Sequence, residues 1–570
     1  MTVTPARSEQ RRARSQAADE RLRSLWESAT SAGDVPATGV ALVAVGGYGR
    51  RQLSPQSDLD VVLLAGDGYD DRALGDLAES LWYPLWDDNV ALDHSVRTES
   101  ELRSAAAADL RVALGVLDLR HVCGDPALTL GARSLILTDW RRGAKRRLPL
   151  LAEHTRERWR RVGDLAHATT PDLKDAHGGL RDVTTLRALL ASWLIDVPAA
   201  ELERLNVQLL EVRDALMETT GRSTDRLVAD YLAEVATRCG HPHPDSLRSS
   251  LMTTGRAIAH LASVAMRNVD WMLTPARASG PRRPVLDTVA SGVGAYRGEV
   301  VLSDRARPAS DPLLGLRAAE AAATRDLVLT DAAAARLGRE LAPLPTPWPA
   351  EGRALFTTLL GSGPGLVDVW ESLDQYGVID AMLPEWKRVR HLAPQSPVHH
   401  FTVDRHLVQT CVEVAPLLGR SVERPDLLVT AALLHDIGKG GDGDHSAVGE
   451  PIAREVAERV GFRSADVDVI ARLVRHHLTL VEAATSEDLD DPATAERVAQ
   501  AVADVPTLEL LAVLTEADAL ATGPAAWSPW RKRLVETLVE RVRRHLHLHT
   551  VDVDGPSTRS KARPRRRAAG

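Results

Sequence analysis

The sequence predicts an α+β protein: a mixed sheet with helices near the N-terminus, a helical middle region, and an all-helical C-terminal region. Three observations predict it. Two short β-branched runs, VALVAV at 40–45 and VVLL at 61–64, flank the string GGYGRRQLSPQSDLD at 46–60, and such runs make buried strands. From 99 to about 271, Ala, Leu and Arg recur at three- and four-residue intervals, which is the period of a helix. From 353 to about 547 the helical period returns.

The elements follow in order. Residues 1–25 are a polar arm, frayed or forming an early helix. Strand-like runs fill 40 to about 97. The helical stretch then runs to a surface connection, PARASGPRRP at 275–284. A strand-like island follows at YRGEVVLSD, 296–304. LAPLPTPWPAEG at 341–352 is the clearest linker, because its four prolines cannot continue a helix or a central strand. The end, SKARPRRRAAG, is a solvated basic tail. No internal repeat stands out. The resulting division is 26–185 for the strand-bearing domain, 186–350 for a helical middle that packs and spaces its neighbours, 351–548 for the C-terminal helical domain, and 549–570 for the tail.

Bulk properties narrow the classes. A chain of 570 residues holds about three or four domains. A hydrophobic fraction of 44% and a charged fraction of 26% are ordinary for a globular protein. A net charge of −8 gives no global field for nucleic acid. Cys123, Cys239 and Cys411 are scattered and form no ligand spacing, so a reducing cytoplasm is the simplest setting. No apolar run is long enough to span a membrane, and the arginine-rich start lacks the apolar core of a secretion signal.

The first chemical candidate is the 46–60 string. Asp58 and Asp60 stand two residues apart, so on a strand they share a face. Two carboxylates so close repel each other unless a divalent cation lies between them. Gly46 and Gly47 let backbone N–H groups approach a triphosphate. Mg²⁺ or Mn²⁺ is the expected cation. A third carboxylate from a neighbouring strand is expected at Asp93, in VALDHSVRT at 90–98, with Asp118 as the alternative.

Gly-Gly, a spacer, then Asp-apolar-Asp-apolar resembles the DNA polymerase β-like nucleotidyltransferase superfamily. The longer string GGYGRRQLSPQSDLDVVLL, together with LWDDNVALDHSVRT and PDLKDAHGGLRDV at 171–183, resembles one branch of it, the bacterial PII uridylyltransferase/uridylyl-removing enzymes. The resemblance implies a polymerase β-like domain in which Arg50, Ser57, Lys174 and Arg181 contact the nucleotide. It also implies transfer from UTP, or ATP, onto a tyrosine of the nitrogen-signalling protein PII.

The second candidate lies in the C-terminal helical stretch. AALLHDIGKG at 431–440 sets His435 and Asp436 at the end of an apolar helix. VDRHLVQTCVE supplies His406 upstream. GDGDHSAVGE supplies His445, IARLVRHHLTL supplies His476 and His477, and LLAVLTEADALAT supplies Asp518. The order His, His-Asp, His, Asp resembles the HD phosphohydrolase superfamily. The resemblance implies a divalent ion held by His406, His435, Asp436 and Asp518, with His477 next. Imidazoles and carboxylates suit Mn²⁺, Fe²⁺ or Zn²⁺, while a carboxylate-rich variant tolerates Mg²⁺. His445 is a further ligand or proton donor and Lys439 a neutraliser of phosphate charge. His476 faces elsewhere, and His399 and His400 are surface or helix-entry residues.

TVDRH, HDIGKG and EADALAT are similar to the uridylyl-removing half of the same enzymes. There the HD site hydrolyses the tyrosyl–nucleotide bond. The family's two C-terminal ACT domains find no counterpart after Asp518, which leaves glutamine control doubtful. The competing readings are a monofunctional PII nucleotidyltransferase, a non-catalytic scaffold, and alarmone turnover. In alarmone enzymes the HD domain comes first rather than last.

Overall fold

The structure, a computed structural model, describes residues 5–32, 38–273, 286–393, 401–419, 423–523 and 525–553. The expected connection at 275–284, His399, His400 and the tail from 554 lie outside them. Contacts divide the chain into two units, 1–284 with 393–402, and 285–392 with 403–570. The stretch expected as a helical middle, 186–350, is shared between them.

In the first unit, α1 (Pro5–Ala32) occupies most of the segment expected as a polar arm. Its inward stripe is Arg7, Arg11, Ser15, Asp19, Leu22 and Trp26, spaced by three or four residues as a helix face requires. The first four are polar. Arg11 meets Asp214 at 2.6 Å and Arg7 meets Glu218 at 3.1 Å, so the N-terminal part of the stripe is buried by ion pairing, while Leu22 and Trp26 pack into an apolar core.

The sheet is built from β1 (Val40–Ala44), β2 (Leu59–Ala65), β3 (Leu92–Thr98) and β4 (Arg120–Gly124). Its order is β3-β2-β1-β4, with β2 and β3 parallel and the other pairs antiparallel. Alternation along β1 splits its side chains between two cores, Ala41 and Val43 on one face and Val40, Leu42 and Ala44 on the other, as period-two geometry dictates.

Two elements differ from the pattern expected over this stretch. The run from 40 to 97 is interrupted by a helix at Asp71–Asp87, capped by Asp70, that buries Leu74, Leu77, Leu81 and Leu85. A parallel β2–β3 pair requires such a crossover. Conversely, β4 lies inside the stretch expected to be helical. The remaining helices of this unit, from Glu99–Ala108 to Pro244–Leu273, share one apolar core with a face of the sheet.

The second unit opens with a small sheet of Asp287–Ala290, Val293–Tyr296, Glu299–Leu302 and Val328–Leu329, which contains the expected strand island. The rest of the unit is almost entirely helical. Four helices carry the residues of interest: Val403–Val414, Pro425–Leu434, His445–Val460 and Val505–Thr522. Leu427 to Leu434 are all buried, as in a helix at the centre of a core. No single helix among the described residues is long and apolar enough to cross a membrane.

Candidate active sites

In the first unit, Gly46–Gly49 forms a single helical turn between β1 and β2. Gly46 has φ +55°, and a Cβ there would lie 2.9 Å from Asp60 Oδ2. The backbone conformation and the closeness of the carboxylate both favour glycine. Gly47 has open space around it. Asp58 is exposed and precedes β2 by one residue, while Asp60 lies on β2 and is partly buried.

The parallel register sets Asp93 beside Asp60, and Asp118 instead forms an ion pair with Arg50. Burial pushes the Asp60 carboxyl up to about 6, with Asp58 and Asp93 adding repulsion that Lys174 and Arg50 only partly offset. Carboxylate oxygens of this kind are the donors that a hard divalent cation takes.

Lys174 lies 3.9 Å from Asp225. Arg181 is paired with Asp175 at 2.6 Å. In the same motif Asp182 is fully buried. It accepts hydrogen bonds from Gly178 N at 2.7 Å and Trp159 Nε1 at 2.9 Å, and it pairs with Arg158. This aspartate therefore shapes the turn that presents Lys174.

Sequence reading missed Arg213. It pairs with Asp225 at 2.5 Å and donates to Ser54 Oγ at 3.2 Å and Ser57 Oγ at 3.4 Å, tethering the loop that leads to Asp58. Nothing in its helical sequence context marks it out.

In the second unit, His435 and Asp436 occupy the turn that ends Pro425–Leu434. Gly438 follows because a Cβ there would lie 2.1 Å from the His445 carbonyl oxygen. Its absence lets the helix bearing His445 approach. His406 Nε2 lies 3.2 Å from His435 Nε2 and 2.9 Å from Asp518 Oδ1. Asp436 Oδ2 lies 3.7 Å from His435 Nε2 and 3.9 Å from His406 Nε2. Its Oδ1 faces His445 at 3.4 Å and His477 at 3.5 Å. The Nδ1 atoms of His435 and His477 lie 2.9 Å and 2.8 Å from the carbonyls of Ala432 and Val474. Donation to those carbonyls leaves Nε2 as the ligand atom.

His476 is outside the cluster, half-buried and near Thr479. The Lys439 ammonium sits 2.5 Å from Asp436 Oδ2. Burial opposes ionisation of Asp436, but His435, His477 and Lys439 outweigh it and hold the carboxyl well below its usual range. Burial would lower the His435 imidazole, yet Asp436 and Asp518 raise it. His445 is lowered, mainly by burial.

The donor set fits a divalent metal. His406, His435 and Asp436 form one group with ligand atoms within 4.8 Å of each other, and Asp436, His445 and His477 form another. Asp436 Oδ1 is buried without a well-formed hydrogen bond, an arrangement that an ion relieves. The Asp58, Asp60 and Asp93 oxygens do not form such a close group.

A nucleotidyltransferase domain toward the N-terminus and an HD domain toward the C-terminus define the class of the protein. Residues 405–523 match the family model of the HD domain, and residues 149–266 that of the GlnD PII-uridylyltransferase. The relatives that carry the name bifunctional uridylyltransferase/uridylyl-removing enzyme include three from different genera. The one from Streptomyces coelicolor is 51% identical over 93% of this chain and 64% of its own length. The one from Mycobacterium tuberculosis is 43% identical over 91% and 65%, and that from Corynebacterium glutamicum 36% over 89% and 72%. The chain thus spans about two thirds of the length of these relatives, and it belongs to the bifunctional uridylyltransferase/uridylyl-removing enzyme family.

Proposed function

We infer that the chain transfers UMP, or AMP, from a nucleoside triphosphate onto a tyrosine of PII, releasing pyrophosphate, and that it hydrolyses the same tyrosyl–nucleotide bond at a separate HD site. The observation that carries this reading is the pairing, on one chain, of an aspartate set beside a glycine turn with a buried His/Asp cluster. The names of the relatives agree with it.

At the transfer site, Asp58, Asp60 and Asp93 would hold Mg²⁺ or Mn²⁺, which would supply positive charge against the charge that develops on the leaving group. Gly46 and Gly47 leave room for the triphosphate. Ser57, Arg50, Lys174 and Arg181 bind it, and the tyrosine oxygen displaces pyrophosphate at the α-phosphorus. At the HD site, His406, His435, Asp436, His477 and Asp518 would hold a divalent ion, which lowers the pKa of a bound water. Lys439 would neutralise charge on the phosphodiester, and His445 would serve as a further ligand or donate a proton to the departing tyrosyl oxygen. The working domains on this reading are 26–185 and 351–548. The three cysteines are free and buried, which accords with a cytoplasmic setting.

The test incubates the chain with PII and labelled UTP or ATP in Mg²⁺ or Mn²⁺, then withdraws the nucleotide. Label that enters PII from one triphosphate and is later released as the monophosphate supports the reading. Label that never enters PII from either triphosphate overturns it.

A further inference from the structure

We propose that Asp19, on the N-terminal helix α1, is a positioning residue for nucleotide binding at the transfer site, acting through Tyr48 and Arg120 on the glycine turn. This rests on the transfer reading above. Asp19 is 4% exposed. Its carboxylate accepts from the Tyr48 hydroxyl at 2.6 Å and from both Arg120 terminal nitrogens, at 2.8 Å and 3.0 Å. Arg120 reaches past it. The same guanidinium donates to the Tyr48 carbonyl at 3.3 Å and the Gly49 carbonyl at 3.2 Å. One buried carboxylate thus orients two donors, and both act on the turn Gly46–Gly49.

The turn has no slack on its far side. A Cβ at Gly49 would lie 2.3 Å from the Asp118 carbonyl and 3.0 Å from that of Ala44, and Gly46 abuts Asp60 Oδ2. A shift of Tyr48 and Gly49 therefore moves the backbone that faces Asp60.

Docking of α1 does not explain the arrangement. Leu22 and Trp26 already bury α1 against the sheet, and Arg11 pairs with Asp214. A carboxylate needed only to fasten the helix has no reason to hold a guanidinium that spends its remaining donors on loop carbonyls. Asp19 orients the glycine turn and neither acceptor nor HD-site residues, so its effect belongs in nucleotide affinity rather than in acceptor affinity or in hydrolysis at the HD site.

The experiment compares wild type, Asp19→Asn and Tyr48→Phe. Asp19→Asn keeps an acceptor for Tyr48 but removes the charge that orients Arg120. Tyr48→Phe keeps the ring and removes one bond. Four readouts are taken: binding of a non-hydrolysable triphosphate analogue with Mg²⁺, the KM values for triphosphate and for PII, hydrolysis of nucleotidylated PII, and thermal unfolding. Asp19→Asn is expected to weaken analogue binding and raise the triphosphate KM by roughly tenfold, as misplacement of a binding backbone does. Tyr48→Phe should show a smaller change in the same two readouts. The KM for PII and the hydrolysis rate should stay within about twofold of wild type. Unchanged analogue binding in Asp19→Asn overturns the proposal, as does a loss of transfer matched by equal losses of hydrolysis and unfolding temperature. Analogue binding reads the turn without the acceptor. Wild type that binds the analogue but labels no PII therefore overturns the acceptor assignment while the Asp19 result stands. Wild type that binds no analogue overturns both.

Discussion

The two candidate sites solve the problem of gathering ligands in opposite ways. The aspartates of the first unit stand on, or just before, adjacent strands and are partly open to solvent. Their mutual repulsion is visible in an Asp60 carboxyl pushed up by burial and by Asp58 and Asp93 to about 6. The cluster of the second unit is buried among helices, and its acids already meet cationic or imidazole partners through Asp518–His406 at 2.9 Å and Asp436–Lys439 at 2.5 Å. The first set needs a cation to be comfortable. The second is largely paired internally and leaves Asp436 Oδ1 for an ion. A carboxylate-only site suits a weakly held hard ion that arrives with its triphosphate. An imidazole-rich site suits a resident transition metal.

The sharpest break in that comparison is genetic. Asp60→Asn should lower transfer by on the order of a thousandfold, given the several kcal/mol that a metal contributes to charge stabilisation, and should leave hydrolysis intact. His435→Ala with Asp436→Ala should do the reverse. Each variant is assayed in both directions with labelled PII. A variant that loses both activities while still folded would show that the sites are not chemically independent.

A chelator separates them next. After treatment with EDTA and desalting, Mg²⁺ alone should restore transfer. Hydrolysis should return with Mn²⁺ or another transition ion to a rate about tenfold above that with Mg²⁺, following the preference of imidazole ligands. Metal analysis of the untreated protein should find an ion retained by the second unit. Its loss in the His435→Ala/Asp436→Ala variant checks the assignment. Equal restoration of both activities by Mg²⁺ would erase the contrast.

Two glycines probe the geometry on either side. Gly46→Ala introduces a Cβ 2.9 Å from Asp60 Oδ2 at φ +55°, and should cost transfer about a hundredfold with little effect on hydrolysis. Gly438→Ala meets backbone, at 2.1 Å from the His445 carbonyl, and backbone cannot rotate away. It should lower hydrolysis and destabilise the second unit by about 1–3 kcal/mol, as read by denaturant unfolding.

The same contrast explains what the sequence made legible. Both candidate-site strings are readable because a tight turn or an ion cluster demands rare residues at fixed spacing: Gly46 next to Asp60, and His435-Asp436 before Gly438. The register that sets Asp93 beside Asp60 could only be guessed, since pairing between strands is not written within either strand. Helix α1 was obscured because its buried stripe begins Arg7, Arg11, Ser15, Asp19. A polar face buried by ion pairs carries no hydrophobic period. The helix at Asp71–Asp87 does carry one, in Leu74, Leu77, Leu81 and Leu85, and was masked by the strands on both sides. Arg213 was invisible for a different reason. Its bonds to Ser54 and Ser57 join residues far apart in the chain.

The smallest expected effect concerns the motif that presents Lys174. His177 stacks on Trp159 with ring centroids 3.9 Å apart and meets Asp164 at 2.9 Å. Burial lowers its affinity for a proton, but the Asp164 hydrogen bond and the charges of Asp182 and Asp164 outweigh this and raise its pKa above the ordinary value. Asp182 is itself paired with Arg158, which limits its share. A histidine raised in the folded state adds stability below its unfolded pKa of about 6.5, and that contribution fades as pH climbs through the higher folded value. Denaturant unfolding of wild type and His177→Gln at pH 5.5 and pH 8.5 measures it. The variant should be less stable by about 1 kcal/mol at the lower pH, a figure kept small because Asp164 is partly exposed, and the gap should shrink at the higher pH. A gap that widened with pH would mean that His177 is buried as the neutral ring.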